Sequence, residues 1–140
     1  MIEHVLVPID DSPLAERALD FAMAAHPEAD LTVLHVVDYV EESYGAELLL
    51  GAEELRERAR ERARALADDA LERAADHRGT TTTVTEFGKP ATVISEYAGE
   101  HAVDLIVIGS HGRSPLSRVL LGDVADTVVR RAPVPVTIVR

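Results

Sequence analysis

The sequence predicts an α/β fold, an open and doubly wound parallel sheet with helices on both faces. Leu31-Thr-Val-Leu-His-Val-Val37 and Val103-Asp-Leu-Ile-Val-Ile108 are nearly continuous apolar and β-branched runs, as expected of strands covered on both sides. Segments with apolar residues at helical spacing separate such runs, and strands that alternate with helices build crossover units rather than hairpins. The chain of 140 residues is 46% apolar, enough to bury a core without staples. One domain over residues 1–140 is therefore expected.

The elements follow in order. Val5-Leu-Val-Pro-Ile9 is the first strand, and Asp10-Asp-Ser12-Pro13 begins a helix: Asp11 or Ser12 can accept from free N–H groups, and proline suits the first helical turn. Leu14, Ala18, Leu19, Ala22 and Ala25 keep helical spacing until Pro27. Leu31 to Val37 is the second strand. Tyr39, Tyr44 and Leu48 to Leu50 leave the segment from Asp38 to Gly51 open between a lid, a loop and the first turns of the next helix.

From Ala52 to Arg78 the helix is plain. Leu55, Ala59, Ala63, Leu66, Ala70 and Ala74 form one stripe, and Gly79 supplies a C-terminal stop. On the other face Glu54 precedes Arg58 by one turn, and Glu53, Glu57 and Glu61 each stand three residues before an arginine, which reads as a solvated surface of weak ion pairs. Thr80 to Phe87 is threonine-rich and alternating, the mark of a strand at a sheet edge. Gly88-Lys-Pro90 opens a third helix through about His101, Val103 to Ile108 is the fourth strand, Gly122 to Arg131 the fourth helix, and Val134 to Val139 a last strand. Pro133 and Pro135 place that last strand at an edge, because proline cannot donate to a ladder.

The formal net charge of −11 repels nucleic acid and anionic lipid, so neither is an expected partner. Lys89 is the only lysine among 14 cationic side chains. Such a bias comes from a GC-rich genome or from adaptation to high salt, and acid excess together with lysine depletion favours the halophilic reading. No cysteine is present, which excludes disulfides and thiolate metal sites. Met1-Ile-Glu-His-Val lacks the basic and apolar regions of a signal peptide, and no apolar run reaches the roughly 18 residues of a membrane span. A cytoplasmic location without membrane contact is expected.

The stretch Ile106-Val-Ile108-Gly109-Ser-His111-Gly112-Arg113, with Gly122-Asp123 further on, carries the chemistry. A strand that runs into glycines lets the backbone turn sharply and approach a ligand, and a helix beginning at Gly122 offers unpaired N–H groups and a positive dipole end. In an open parallel sheet, ligands bind beyond the carboxyl ends of the strands where strand order reverses, commonly between the first and fourth. Pro8-Ile9-Asp10 leaves the first strand and Gly109 to Gly112 the fourth, so the two would line one crevice. Asp10 could accept from a ribose hydroxyl or an adenine amine, and equally from a helix N-terminus. Asp123 could cap the fourth helix. His35 reads as a core histidine, His4, His26, His77 and His101 lack metal-ligand spacing, and His111 has a functional case. No Walker A run, G-x-G-x-x-G after the first strand or G-x-S-x-G elbow is present.

Taken together, Val5-Leu-Val-Pro-Ile-Asp10, Ser12 with Ala15 and Ala18-Leu19, Leu34-His-Val36, Gly109-x-x-Gly112 followed by Gly122, and Pro133-Val-Pro-Val136 resemble the universal stress protein family over essentially the whole chain. The resemblance implies strand order 3-2-1-4-5, a homodimer through Val134 to Val139, and ATP in the crevice in the nucleotide-binding branch. By position, Pro8, Asp10 and Val36 would lie around adenine and ribose, Gly109, His111, Gly112, Arg113, Gly122, Asp123 and Val124 around the phosphates, and Ile9, Ser12 and Ile108 would also belong to the nucleotide site.

Asp123 departs from the family pattern, which has Ser or Thr after that glycine. Like charges about 4 Å apart cost on the order of 4 kcal/mol at an effective dielectric near 20. Three outcomes stay open: Mg joins Asp123 to the phosphates, the ligand has fewer phosphates, or no nucleotide binds. The leading expectation is a dimeric adenine-nucleotide sensor of a stress response with at most slow ATP hydrolysis, since no base is paired with a positioned water. The alternative is an interaction module of the same fold whose ATP site Asp123 has disabled.

Overall fold

A computed structural model describes residues 1–38, 51–111 and 122–140. The uncertain segment after Asp38 lies almost wholly outside them, as do Gly112 and Arg113. The elements are β1 (His4–Ile9), α1 (Pro13–Ala25), β2 (Asp30–Val37), α2 (Ala52–Arg73), β3 (Thr81–Phe87), α3 (Pro90–Glu100), β4 (Leu105–Gly109), α4 (Asp123–Arg131) and β5 (Val136–Val139). They build one five-stranded sheet in the order β3-β2-β1-β4-β5 with every neighbouring pair parallel. β3 and β5 are the edges, as their threonines and prolines predict.

Each face of the sheet has its own core, because successive strand residues point to opposite sides. Val5, Val7, Leu31, Val33, Leu105 and Val107 meet Ala18, Leu19 and Ala22 of α1 and Ala70 of α2. Leu6, Leu34, Ile106 and Ile108 meet Ile94 and Ala98 of α3 and Val128 of α4. Both faces of the three central strands are thus dry, which is why the sequence there reads as unbroken apolar runs. Full burial of each such Val, Leu or Ile contributes about 1.5–3 kcal/mol.

Local chemistry sets the helix ends. The Ser12 Oγ accepts from Ala15 N at 3.3 Å, and Pro13 follows at the first helical position. α2 ends at Arg73, five residues before the end its pattern predicts. The reason lies elsewhere in the chain: His77 Nε2 donates to Ala29 O at 2.7 Å, and a Cβ on Gly79 would stand 2.0 Å from the same carbonyl. Gly79 is therefore a point of close backbone approach between the start of β2 and the turn into β3, not a helix stop. The Arg73 guanidinium closes α2 onto α1, with Nε and Nη2 each 2.7 Å from an Asp20 oxygen and Nη1 3.5 Å from Glu16. The Asp20 hydrogen bonds raise the Arg73 pKa. At the opposite end of the sheet, Asp104 Oδ2 accepts from Glu3 N at 2.9 Å and His4 N at 3.0 Å, and those bonds hold its carboxyl below the usual range.

Candidate functional site

The β1–β4 ladder stops early. β1 pairs with β2 along all of His4–Ile9, but with β4 only at Val5↔Leu105 and Leu6↔Ile106. In a parallel ladder, alternate residues turn their N–H and C=O to alternate neighbours. The His4 carbonyl accepts from Asp104 N, so His4, Leu6 and Pro8 address β4. Pro8 has no N–H to give. The ladder ends where that donor is missing, and the carboxyl ends of β1 and β4 are left without a shared rung at the reversal of strand order.

Asp10 and Ser12 form one lip of this opening. The Asp10 Oδ1 accepts from Ser12 N at 2.9 Å while Ser12 caps α1. Ser12 is buried and Asp10 half-buried, so a tight turn fixes the Asp10 carboxylate and leaves its second oxygen for another donor. Ile9 ends β1, and Val36 lies near the end of β2.

The other lip is β4 with the start of α4. Ser110 N donates to Val139 O at 2.8 Å, and Ser110 O accepts from Gly122 N at 2.6 Å, so the chain re-enters beside the point where it left the strand. Gly109 and Gly122 have packing reasons to lack a side chain. A Cβ on Gly109 would lie 3.0 Å from Leu14 Cβ, and one on Gly122 would lie 3.1 Å from His111 Cα. Gly122 is the α4 N-cap, and among the described residues no side chain caps it. Asp123 is thus the first helical residue rather than the cap that its type suggests. Asp123 and Val124 are exposed in the first turn of α4. Ile108 is buried, and His111 is partly exposed beside Gly122. The structure therefore gathers Gly109, His111 and the Gly122–Val124 turn at β4, and Pro8 to Ser12 at β1.

Sequence reasoning missed two features of this edge. Asp38, buried just past β2, lies 3.3 Å from Lys89 Nζ, so the only lysine stands at the carboxyl end of the sheet. Its rarity was the available signal. Second, a cavity of about 410 Å³ lies on the α1–α2 side, lined by Asp10, Asp11, Glu16, Asp69, Glu72 and Arg73 with Ile9, Leu19 and Leu66. Its carboxylates repel phosphate. Among the described residues no group of three or more His, Cys, Asp or Glu could hold a metal ion, and no helix is long and apolar enough to cross a membrane.

The model of the universal stress protein family matches residues 1–140. The universal stress protein YxiE of Bacillus subtilis is 32% identical over 155 aligned positions, covering 100% of both chains. A solved structure from Methanocaldococcus jannaschii superposes with a TM-score of 0.85 at 29% identity, covering 99% of this chain and 96% of that one. A universal stress protein solved in complex with cAMP has a TM-score of 0.72 at 27% identity, covering 99% and 97%.

Proposed function

The chain belongs to the universal stress protein family, and we propose from that membership that it binds an adenine nucleotide between β1 and β4 and serves as a homodimeric sensor in a stress response. The observation that carries the proposal is the ladder that ends at Leu6 and Ile106, with a fixed carboxylate on one lip and, on the other, a helix start that no described side chain caps. Adenine and ribose rest against Pro8, Ile9, Asp10 and Val36, where Asp10 accepts from a hydroxyl or amine. The phosphates face Gly109, His111 and the first-turn N–H groups of α4, whose dipole favours an anion. The similar protein that holds cAMP supports this chemistry.

Asp123 selects the form of the ligand. Its carboxylate repels a bare triphosphate, so either Mg accompanies ATP or a nucleotide with fewer phosphates binds alone. Asp123, a single exposed carboxylate, would hold the ion, which would offset the phosphate charge. Hydrolysis is slow at most in this reading, because Asp10 holds the ligand rather than activating water: Ser12 N engages one of its oxygens and the ligand's hydroxyl or amine takes the other. The dimer forms through Val134 to Val139, where β5 is an edge strand and Val124 and Val129 of α4 are exposed. The acid-rich surface suits a cytoplasm of high salt.

Calorimetric titration with ATP, AMP and cAMP in molar KCl, with and without Mg, on the native chain and on Asp123→Ser tests the proposal. Magnesium-dependent ATP binding that becomes magnesium-independent in the variant supports the bridge, and binding of AMP or cAMP alone supports the smaller ligand. No binding in the native chain with recovery in Asp123→Ser refutes the sensor and favours the interaction module.

A further inference from the structure

The two edges of the sheet are defended differently. β5 is four residues long and follows Pro133 and Pro135. β3 runs for seven residues, Thr81-Thr-Thr-Val-Thr-Glu-Phe87, with no proline and one charge, Glu86. Thr80 O accepts from Leu31 N, and Gly88 N donates to Val37 O. By alternation the even-numbered residues address β2, so the N–H and C=O groups of Thr81, Thr83, Thr85 and Phe87 point away from the sheet. No described strand pairs with that side. Such an edge is a template for another strand.

Beside it lies a groove of about 330 Å³ between α2 and β3. Ala59, Ala63 and Ala67 line it from the helix, Thr85 and Phe87 from the strand, and Arg60 and Arg64 complete it. Phe87 is 53% exposed. From Leu55 to Leu66 the helix has five arginines against Glu57 and Glu61, a local positive excess in a chain of net charge −11. Glu57 lies 3.1 Å from Arg60 and neutralises part of it. Glu86, one residue out of phase with Thr85 and Phe87, belongs to the opposite face of the sheet.

We propose that the β3 edge is a strand-addition site for an acidic, extended segment of a partner protein. Its backbone pairs with Thr81, Thr83 and Thr85, an apolar side chain enters the groove, and carboxylates meet Arg60 and Arg64. The charge chooses the partner: an acidic segment lying along Arg60 and Arg64 finds opposite charge, and a second copy seated on this edge is an outcome that the test detects. This edge is separated from the β1–β4 opening by β2, so the proposal stands apart from the nucleotide reading.

The probe is a fluorescein-labelled, end-blocked peptide, Glu-Val-Glu-Leu-Glu-Val-Glu, followed by anisotropy at about 0.1 M salt, where charges still act over about 10 Å. Its counterpart has lysine at each glutamate position. The acidic peptide is expected to bind, to shift the amides of Thr81, Thr83 and Thr85 in NMR spectra, and to prevail over the lysine peptide by about tenfold or more. Thr85→Pro removes an outward N–H and no bond to β2, and it is expected to weaken binding about tenfold. Arg60→Glu with Arg64→Glu is expected to reverse the peptide preference. Peptides N-methylated at single positions make the same test with the native chain, should Thr85→Pro not fold. The proposal is overturned by no binding up to about 1 mM, equal binding of both peptides, unchanged affinity for Thr85→Pro and every N-methylated peptide, shifts confined to other elements, or self-association of the native chain through β3.

Discussion

Replacing Gly79 by alanine tests the packing between the start of β2 and the turn into β3. An added Cβ would lie 2.0 Å from Ala29 O and 2.6 Å from its carbonyl carbon, and real Cβ contacts do not fall under 3.0 Å. The two backbones must therefore part by about 1 Å or more. The same carbonyl accepts from His77 Nε2, and Thr80 N next in the chain donates to Asp30 Oδ1 at 2.9 Å, so parting strains both bonds. Overpacking costs about 1–3 kcal/mol, and two weakened hydrogen bonds add about 0.5–1.5 kcal/mol each. The sum is about 2–6 kcal/mol. Unfolding entropy of about 0.3 kcal/mol per kelvin for a chain of this length turns that into a fall in Tm of about 7–20 °C. Thermal melts by circular dichroism measure it, with Gly51→Ala as control because a Cβ there meets nothing within 4 Å. A Tm for Gly79→Ala within about 2 °C of the native value would refute the close-approach argument and return Gly79 to the role of a helix stop.

Two further outcomes follow from local chemistry. Ser12→Ala removes the oxygen that accepts from Ala15 N and should cost about 1 kcal/mol in a denaturant titration; no loss would mean that the Asp10 turn alone holds the helix start. Asp104, held below the usual carboxylate range by the N–H groups of Glu3 and His4, stabilises the fold fully above the ordinary carboxylate pKa of about 3.9 and loses that effect as pH falls through its lower folded value. Asp104→Asn should melt below the native chain at pH 7 and draw level in acid, whereas a gap as wide in acid as at pH 7 would contradict the assignment.

What could be read in advance was what neighbouring residues decide. The dry central strands announce themselves because both cores need apolar side chains, and Ser12-Pro13 and Asp10 act within three positions of one another. Features that depend on a distant partner were misread or unread. The stripe through Ala74 favours helix, and only Ala29, some 45 positions away, ends α2 at Arg73. Asp123 looks like a cap until Gly122 is seen to occupy that place. The hold of Asp104 on Glu3 and His4 spans about 100 positions and leaves no local pattern. The site was legible as two loops, and what sets them apart, a proline facing β4, emerges only when the strands are side by side.

That proline divides the sheet mechanically. β3, β2 and β1 are joined rung by rung along their lengths, while β1 and β4 share two paired positions near one end, like two leaves stitched at the foot of the spine. α1 lies across the seam, touching β1, β4 and β5. Motion that parts the leaves at the top breaks no backbone rung, and its resistance comes from α1 and the packed side chains beneath it. A molecule wedged in the open end would supply the cross-member that the chain cannot make for itself.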